Sequence, residues 1–308
     1  MKSTRKAYGE ALVEIGRKDK DVIVLDADLA HATQTLLFKK EFPNRHINVG
    51  IAEQDMVGTA CGLALSLKKV YLSSFAMFLA GRAYEQIRNA AAYSKVPIKL
   101  CATHSGLSVG EDGPTHQMVE DISLMRTIPN MIVLSPADEI ATKNIIENIK
   151  EYNDGPVYVR LGRCDVPGVY DEKEKFEIGG SKVFGDGNDA TVFATGYTLH
   201  IALEAMSMLK EKGVNIRVVD IYSIKPIDEN TVVKCAKETN KIITIEDHSV
   251  IGGLGSAIAD VLCEKFPKKI IKIGAQDKFG KSGTVKEIMN LYGITKEQII
   301  EEVLKKEE

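Results

Sequence analysis

The chain has 308 residues, 44% of them hydrophobic, and a formal net charge of -3; it is long enough for two buried cores and too neutral to suggest a nucleic-acid partner. Its five cysteines (Cys61, Cys101, Cys164, Cys235, Cys263) are widely spaced, odd in number and free of any Cys-x-x-Cys pair, which argues against a disulfide framework and against a zinc site. No apolar run approaches the roughly 20 residues of a membrane span, and Met1-Lys2-Ser3-Thr4-Arg5-Lys6 leads straight into a helical pattern, so no membrane partner is expected and a reducing cytoplasm is the expected setting.

From the N-terminus, short β-branched runs alternate with longer amphipathic segments. Val22–Leu25, His46–Val49, Val70–Leu72, Ile98–Cys101, Met131–Leu134 and Val157–Val159 read as buried strands. Helices are expected near 4–17, 53–66, 80–94 and 137–150, the last opening on Pro136-Ala137-Asp138-Glu139, whose acids suit the positive end of a helix. The periodicity lapses between about 165 and 188, around Pro167-Gly168, Asp171-Glu172-Lys173-Glu174-Lys175 and Gly179-Gly180. A second alternating unit follows, with strands at Thr191–Ala194, Ile216–Val219, Ile242–Ile245 and Ile270–Ile273. Thr295-Lys296-Glu297-Gln298 has capping-box spacing and starts a last helix toward Lys305-Lys306-Glu307-Glu308. The expected fold is α/β: two domains, residues 1–168 and 189–308 joined by a linker at 169–188, each a mostly parallel sheet flanked by helices.

Chemistry-bearing residues gather where strands end. Glu53, in Ile51-Ala52-Glu53-Gln54-Asp55, stands in the first turn of a helix just after a strand, at the sheet edge where ligands bind in such folds. By itself it reads more readily as a solvated first-turn acid, the commoner fate of a glutamate at that position. Ser73-Ser74-Phe75-Ala76-Met77-Phe78 follows the next strand, and its rings serve either a core or a stacked heterocycle. Downstream lies Thr103-His104-Ser105-Gly106-Leu107-Ser108-Val109-Gly110-Glu111-Asp112-Gly113-Pro114-Thr115-His116-Gln117, a Gly-rich loop that lets backbone approach a ligand closely.

Together these segments resemble the pyrimidine-binding half of transketolase. The resemblance implies thiamine diphosphate as cofactor, with Glu53 hydrogen-bonding the ring nitrogen of its aminopyrimidine, Phe75 and Phe78 stacking on that ring, and Asp28, in Asp26-Ala27-Asp28-Leu29-Ala30, as a further contact. A carboxyl group at that nitrogen favours the imino tautomer, whose exocyclic nitrogen can take the proton from the thiazolium carbon. Gly81 stands where relatives often carry an aromatic residue, and Tyr84 is the expected substitute. On the substrate side the resemblance gives Asp112 a donor hydroxyl, whose configuration it would read, His116 an oxygen near the reacting carbons, and His104 the phosphate end. Arg163, just past a strand, and Arg5 match phosphate-binding arginines, whose planar fork offers paired donors, with a surface role for Arg5 the alternative. The family's serine phosphate ligand falls on Ala32, leaving His31 or Thr33 to replace it.

The diphosphate-binding side has no counterpart. Gly185-Asp186-Gly187, with Asn215 beyond it, imitates the metal and diphosphate signature, but it leads into the strand at Thr191 and reads as a turn. Gly252-Gly253-Leu254-Gly255-Ser256 opens a helix whose amides suit an anion, with close helix–sheet packing the favoured reading. Glu246-Asp247-His248 beside it resembles the C-terminal domain of transketolases and of 2-oxo acid dehydrogenase beta chains. The resemblance therefore implies the C-terminal subunit of a split transketolase, moving a two-carbon ketol unit between sugar phosphates. Its N-terminal partner subunit would carry the diphosphate-binding domain with Mg2+ or another divalent ion. The expected assembly is a dimer of this chain flanked by two partner chains, a heterotetramer. The rival readings are a subunit resembling deoxyxylulose-phosphate synthase or a dehydrogenase beta chain, and a non-catalytic regulatory subunit.

Overall fold

The computed structural model describes residues 1–306, and in them the β-branched runs form strands at the expected places. In chain order these are β1 (Lys2–Ser3), β2 (Val22–Asp26), β3 (His46–Asn48), β4 (Lys69–Phe75), β5 (Lys99–Thr103), β6 (Ile132–Leu134), β7 (Val157–Arg160), β8 (Asp165–Val166), β9 (Lys182–Phe184), β10 (Ala190–Ala194), β11 (Ile216–Asp220), β12 (Ser223–Lys225), β13 (Lys241–Ser249) and β14 (Ile270–Ala275). Seven make one sheet, ordered β12-β6-β7-β5-β4-β2-β3 and parallel except at β12; five make a second, β14-β13-β10-β11-β9, parallel except at β9. Both are α/β sheets flanked by helices, because strands buried on both faces need crossover helices to cover them. Among the described residues no helix is long and apolar enough to cross a membrane.

Local rules account for the helix boundaries. Thr4–Lys18 buries Ala7, Tyr8, Ala11, Leu12 and Ile15, the three- and four-residue spacing of one helical face. Asp138 caps Glu139–Asn148 by accepting from the Ala141 amide at 2.8 Å. Thr295 likewise caps Lys296–Leu304 through the Gln298 amide at 3.2 Å, but Gln298 turns to Glu302, so the reciprocal half of the expected box is not formed there. The complete box is at Thr284 and Glu287, which starts Val285–Leu291. Glu307 and Glu308 of the expected charged end lie outside the described residues. The helix expected near 80–94 is instead two wider π-helical segments, Met77–Arg82 and Ile87–Tyr93, around a short α turn at Tyr84–Gln86.

The stretch expected as a linker is packed chain. Phe176 is buried between Tyr170 and Tyr222, ring centroids 4.8 and 5.0 Å away. The amides of Val169 and Tyr170 donate to the Asp138 carboxylate, the Tyr170 hydroxyl donates to Asp220 at 2.6 Å, and β9 enters the second sheet. In return β12, from the second unit, closes the edge of the first sheet against β6. One apolar cluster joins Leu25, Leu72 and Leu100 to Phe193, Val219 and Leu254, so the two sheets share a core.

Register positions the site. Asn48, Asp26, Ser73 and Cys101 lie in one row across β3, β2, β4 and β5, and Arg160 of β7 pairs with Ala102. The loops holding Asp28, Glu53, Phe78, His104 and Arg163 therefore leave the same carboxyl edge side by side, with Phe75 closing β4 there. The β1–β8 pair, Lys2 opposite Val166 and Ser3 opposite Asp165, brings Arg5 to that edge as well.

Candidate active site

Glu53 begins the helix Glu53–Leu65 and is only 1% exposed, so the solvated first-turn reading does not hold. Its two oxygens accept from Ser74 Oγ at 3.3 Å and from Arg82 Nη1 at 2.6 Å. Arg82 is 46% exposed along its side chain and lies over the Phe78 ring, 4.8 Å from the centroid. A buried carboxylate facing a half-exposed cation can exchange that partner for another donor at little cost.

The rings form a continuous group. Phe75 stacks on His104 with centroids 3.8 Å apart and on Phe78 at 5.8 Å, and His116 meets Phe75 at 6.1 Å and Phe78 at 5.3 Å edge-on. Phe75 is buried and Phe78 half-buried. Tyr84 does not join them; its hydroxyl lies 3.5 Å from Thr127, on the helix Asp121–Thr127. Arg82, next to Gly81, instead joins this group by lying over Phe78 and donating to Glu53. The signal for it in the sequence was an arginine four residues after Phe78 in a helical segment, a spacing that places cation and ring on one face.

His104 sits at φ 55, a left-handed conformation that few side chains adopt without cause. Arg5 Nη1 is 3.3 Å from its Nε2, and Thr103 Oγ1 is 3.0 Å from its Nδ1. Since a guanidinium only donates, Nε2 accepts and the ring proton resides on Nδ1. Burial, aided by the charges of Arg5 and Arg163, pushes the His104 pKa down to about 3, so the ring is neutral across the physiological range. His116 is half-buried, its Nδ1 2.9 Å from Thr115 Oγ1.

Two arginines face the same space. Arg5 also donates to the Ala32 carbonyl at 2.9 Å, and burial followed by the neighbouring Arg163 charge lowers its pKa. Arg163 donates to the Val109 carbonyl at 2.6 Å and to Glu111 at 2.8 Å. Asp112 is exposed and close enough to act electrostatically on both arginines. Of the two stand-ins for the missing serine, Thr33 is fully buried and donates to Asp26 at 2.7 Å, whereas His31 is exposed. Asp28, at φ 61, is tied to Asn48, whose Oδ1 accepts from the amides of Asp28 and Gly50 and so joins that loop to the approach to Glu53.

The decoy segments are held by contacts within their own chain. Gly185-Asp186-Gly187 lies between β9 and β10, and the Asn215 amide donates to Asp189 at 2.6 Å. At Gly252–Ser256 the helix Leu254–Lys265 does receive an acceptor, but the chain provides it: the Glu246 carboxyl group accepts from the amides of Leu254 at 2.7 Å and Gly255 at 2.9 Å. A Cβ on Gly253 would fall 1.9 Å from that carboxylate, which is why glycine stands there. Among the described residues no group of three or more His, Cys, Asp or Glu side chains could hold a metal ion.

A two-sheet α/β fold thus gathers a buried glutamate, stacked rings and two arginines at one carboxyl edge. The family models for the transketolase pyrimidine-binding domain and C-terminal domain match residues 1–168 and 179–299, and the chain belongs to the transketolase family. It is 50% identical to a transketolase C-terminal section of Methanocaldococcus jannaschii, covering 98% of this chain and 96% of that one. Rat transketolase is 38% identical over 98% of this chain, which spans only 48% of the relative. A solved split-gene transketolase, an inactive beta4 tetramer, superposes with a TM-score of 0.92 at 46% identity, covering 98% of this chain and 97% of that one.

Proposed function

We propose that this chain is the C-terminal subunit of a thiamine-diphosphate-dependent transketolase, transferring a two-carbon ketol unit from a ketose phosphate to an aldose phosphate. An N-terminal partner subunit supplies the diphosphate-binding domain and its magnesium, and two of these chains with two partners form the working assembly. The observation that carries the reading is the pairing of buried Glu53 with the Phe75, Phe78, His104 and His116 rings at the carboxyl edge of the first sheet. Support for the split comes from the relatives: this chain matches about half of rat transketolase, and nearly all of a C-terminal section and of a split-gene subunit whose tetramer is inactive.

The residues fit the aminopyrimidine half of the cofactor, because a buried carboxylate beside aromatic faces is what a flat, protonated heterocycle requires. When bound, thiamine diphosphate supplies the carbon nucleophile. Glu53 holds the proton at the pyrimidine nitrogen, exchanging Arg82 for that partner. Phe75 and Phe78 orient the ring and exclude water from it, and Asp28 closes the loop beside it. His116 moves a proton at an oxygen near the reacting carbons, and neutral His104 lies at the phosphate end, where its Nε2 accepts from Arg5 and holds that guanidinium in place. Asp112 binds a donor hydroxyl, while Arg5 and Arg163 hold the phosphate. A sugar with the wrong hydroxyl leaves Asp112 unpaired and is rejected.

The test is reconstitution. Purified chain alone should have no ketol transfer, and adding the N-terminal subunit with cofactor and magnesium should restore it; Glu53→Ala should abolish it in the mixture. Pyruvate-dependent decarboxylation by the mixture, or cofactor binding and turnover by the isolated chain, would overturn the reading.

A further inference from the structure

The Asp112 carboxylate makes no hydrogen bond or ion pair among the described residues, so the backbone of its loop sets where it lies beside the charges of Arg5 and Arg163. That backbone is held from the second unit. Asp247, in β13, is 1% exposed, and its carboxylate accepts from the Leu107 amide at 2.6 Å and the Ser108 amide at 3.2 Å. Gly106, at φ 77, permits the approach, since a Cβ there would fall 2.3 Å from Asp247 Oδ2. Asp247 is itself fixed: its carbonyl accepts from Arg160 Nη2 at 2.7 Å, and Arg160 is locked by Asp121 at 2.9 Å. The far end of the loop has a second pin, where Gln117 Nε2 donates to the carbonyls of Gly110 at 3.0 Å and Lys281 at 2.9 Å. Between the pins lie Val109 and Glu111, the two partners of Arg163, and Asp112. His104 and His116 are held otherwise, through Thr103, Thr115 and the rings.

We infer that Asp247 is a positioning residue for sugar recognition, through which the second unit sets the place of Asp112 and of the phosphate-facing Arg163; the inference rests on the sugar-binding roles proposed above. A carboxylate accepting two backbone amides is a strong, directional anchor, and such charge-assisted bonds are not fully replaced by a neutral amide, which keeps one oxygen as acceptor and sets its NH2 group against the other backbone N–H.

The experiment uses Asp247→Asn in the reconstituted two-subunit enzyme. The donor KM should rise about tenfold with kcat changed about threefold or less, and discrimination between ketose phosphates epimeric at the hydroxyl read by Asp112 should fall about tenfold. Thiamine diphosphate affinity should stay within about twofold, because Glu53, Phe75 and Phe78 are untouched. Hydrogen exchange at the Leu107 and Ser108 amides should accelerate in the full-length chain, with or without its partner. Where Asp247→Asn yields little folded protein, Asp247→Glu, which keeps the charge but moves it one methylene, should show the same shift in KM and discrimination. Unchanged exchange at those amides, or accelerated exchange with unaltered donor KM and discrimination, would overturn the inference. An inactive wild-type mixture would sink the proposed function instead, and the exchange measurement would still decide whether Asp247 holds the loop.

Discussion

Glu53 and Glu246 are both buried carboxylates at strand-to-helix junctions, yet their surroundings differ in kind. Glu246 accepts from two backbone amides of the helix that follows it, and its neighbour His248 accepts from the Ile122 amide at 3.2 Å, so that junction is closed by its own chain. Glu53 is closed on one side by Ser74 and on the other by the half-exposed side chain of Arg82. A carboxylate satisfied by fixed backbone is part of the fold, whereas one satisfied by a solvent-facing cation is available to a ligand.

The comparison is broken most directly by exchanging the two roles through mutation. Glu53→Gln should reduce ketol transfer by the reconstituted enzyme about 100-fold or more, while the melting temperature moves by no more than about 2 °C, because Arg82 turns to solvent. Glu246→Gln should do the reverse. Its amide sets an N–H group against backbone donors in a dry site, a loss of about 2–4 kcal/mol in a urea titration, with kcat and KM of the folded fraction unchanged. A stable but inactive Glu246 variant, or an unfolded Glu53 variant, would erase the distinction.

pH sharpens it further. Burial pushes the Glu246 carboxyl up from its usual 4.5 to about 7 despite the two amides. Between those values the folded chain holds a proton that the unfolded chain has lost, so this group's contribution falls as pH rises and levels off above about 7. His46 and His248, both pushed down by burial to about 4, give the opposite slope, so the readout is a difference. The stability gap between wild type and Glu246→Gln should narrow on going from about pH 5 to about pH 8; a gap that stays constant would mean that Glu246 is ionised throughout.

Much of this was legible beforehand because it rests on local patterns. Period-two and period-3.6 hydrophobicity marked the long strands and helices, and resemblance to the transketolase pyrimidine-binding half singled out Glu53, Phe75, Phe78, His104, Asp112, His116 and Arg163, most of which leave the carboxyl edge of the first sheet. What escaped depends on long-range pairing. β1, β8, β9 and β12 are two or three residues long and exist only because a distant strand receives them. Glu246-Asp247-His248 looked like a motif without a task, since two of its partners, Leu107 and Ile122, lie 140 and 126 residues away, and only Leu254 is local. The stretch 169–188 looked like a linker because extended chain pinned by Asp138 and Asp220 has no periodicity to display.

The smallest expected effect concerns Ala32, where the resemblance places a serine phosphate ligand. Ala32 contributes only its carbonyl, which takes Arg5, and Thr33 cannot turn outward without abandoning Asp26. Ala32→Ser would add a hydroxyl next to a guanidinium already held in place, so the side chain costs little to order. One added neutral hydrogen bond is worth about 0.5–1.5 kcal/mol, so the KM for a phosphorylated donor should fall about threefold while that for the same sugar without phosphate stays put. The ratio of the two KM values isolates the phosphate from every other change in the site. If serine lowers both equally, Ala32 faces the sugar chain and Arg5 marks a different end of the substrate; if it lowers neither, Arg5 serves to keep His104 neutral and Arg163 carries the phosphate alone.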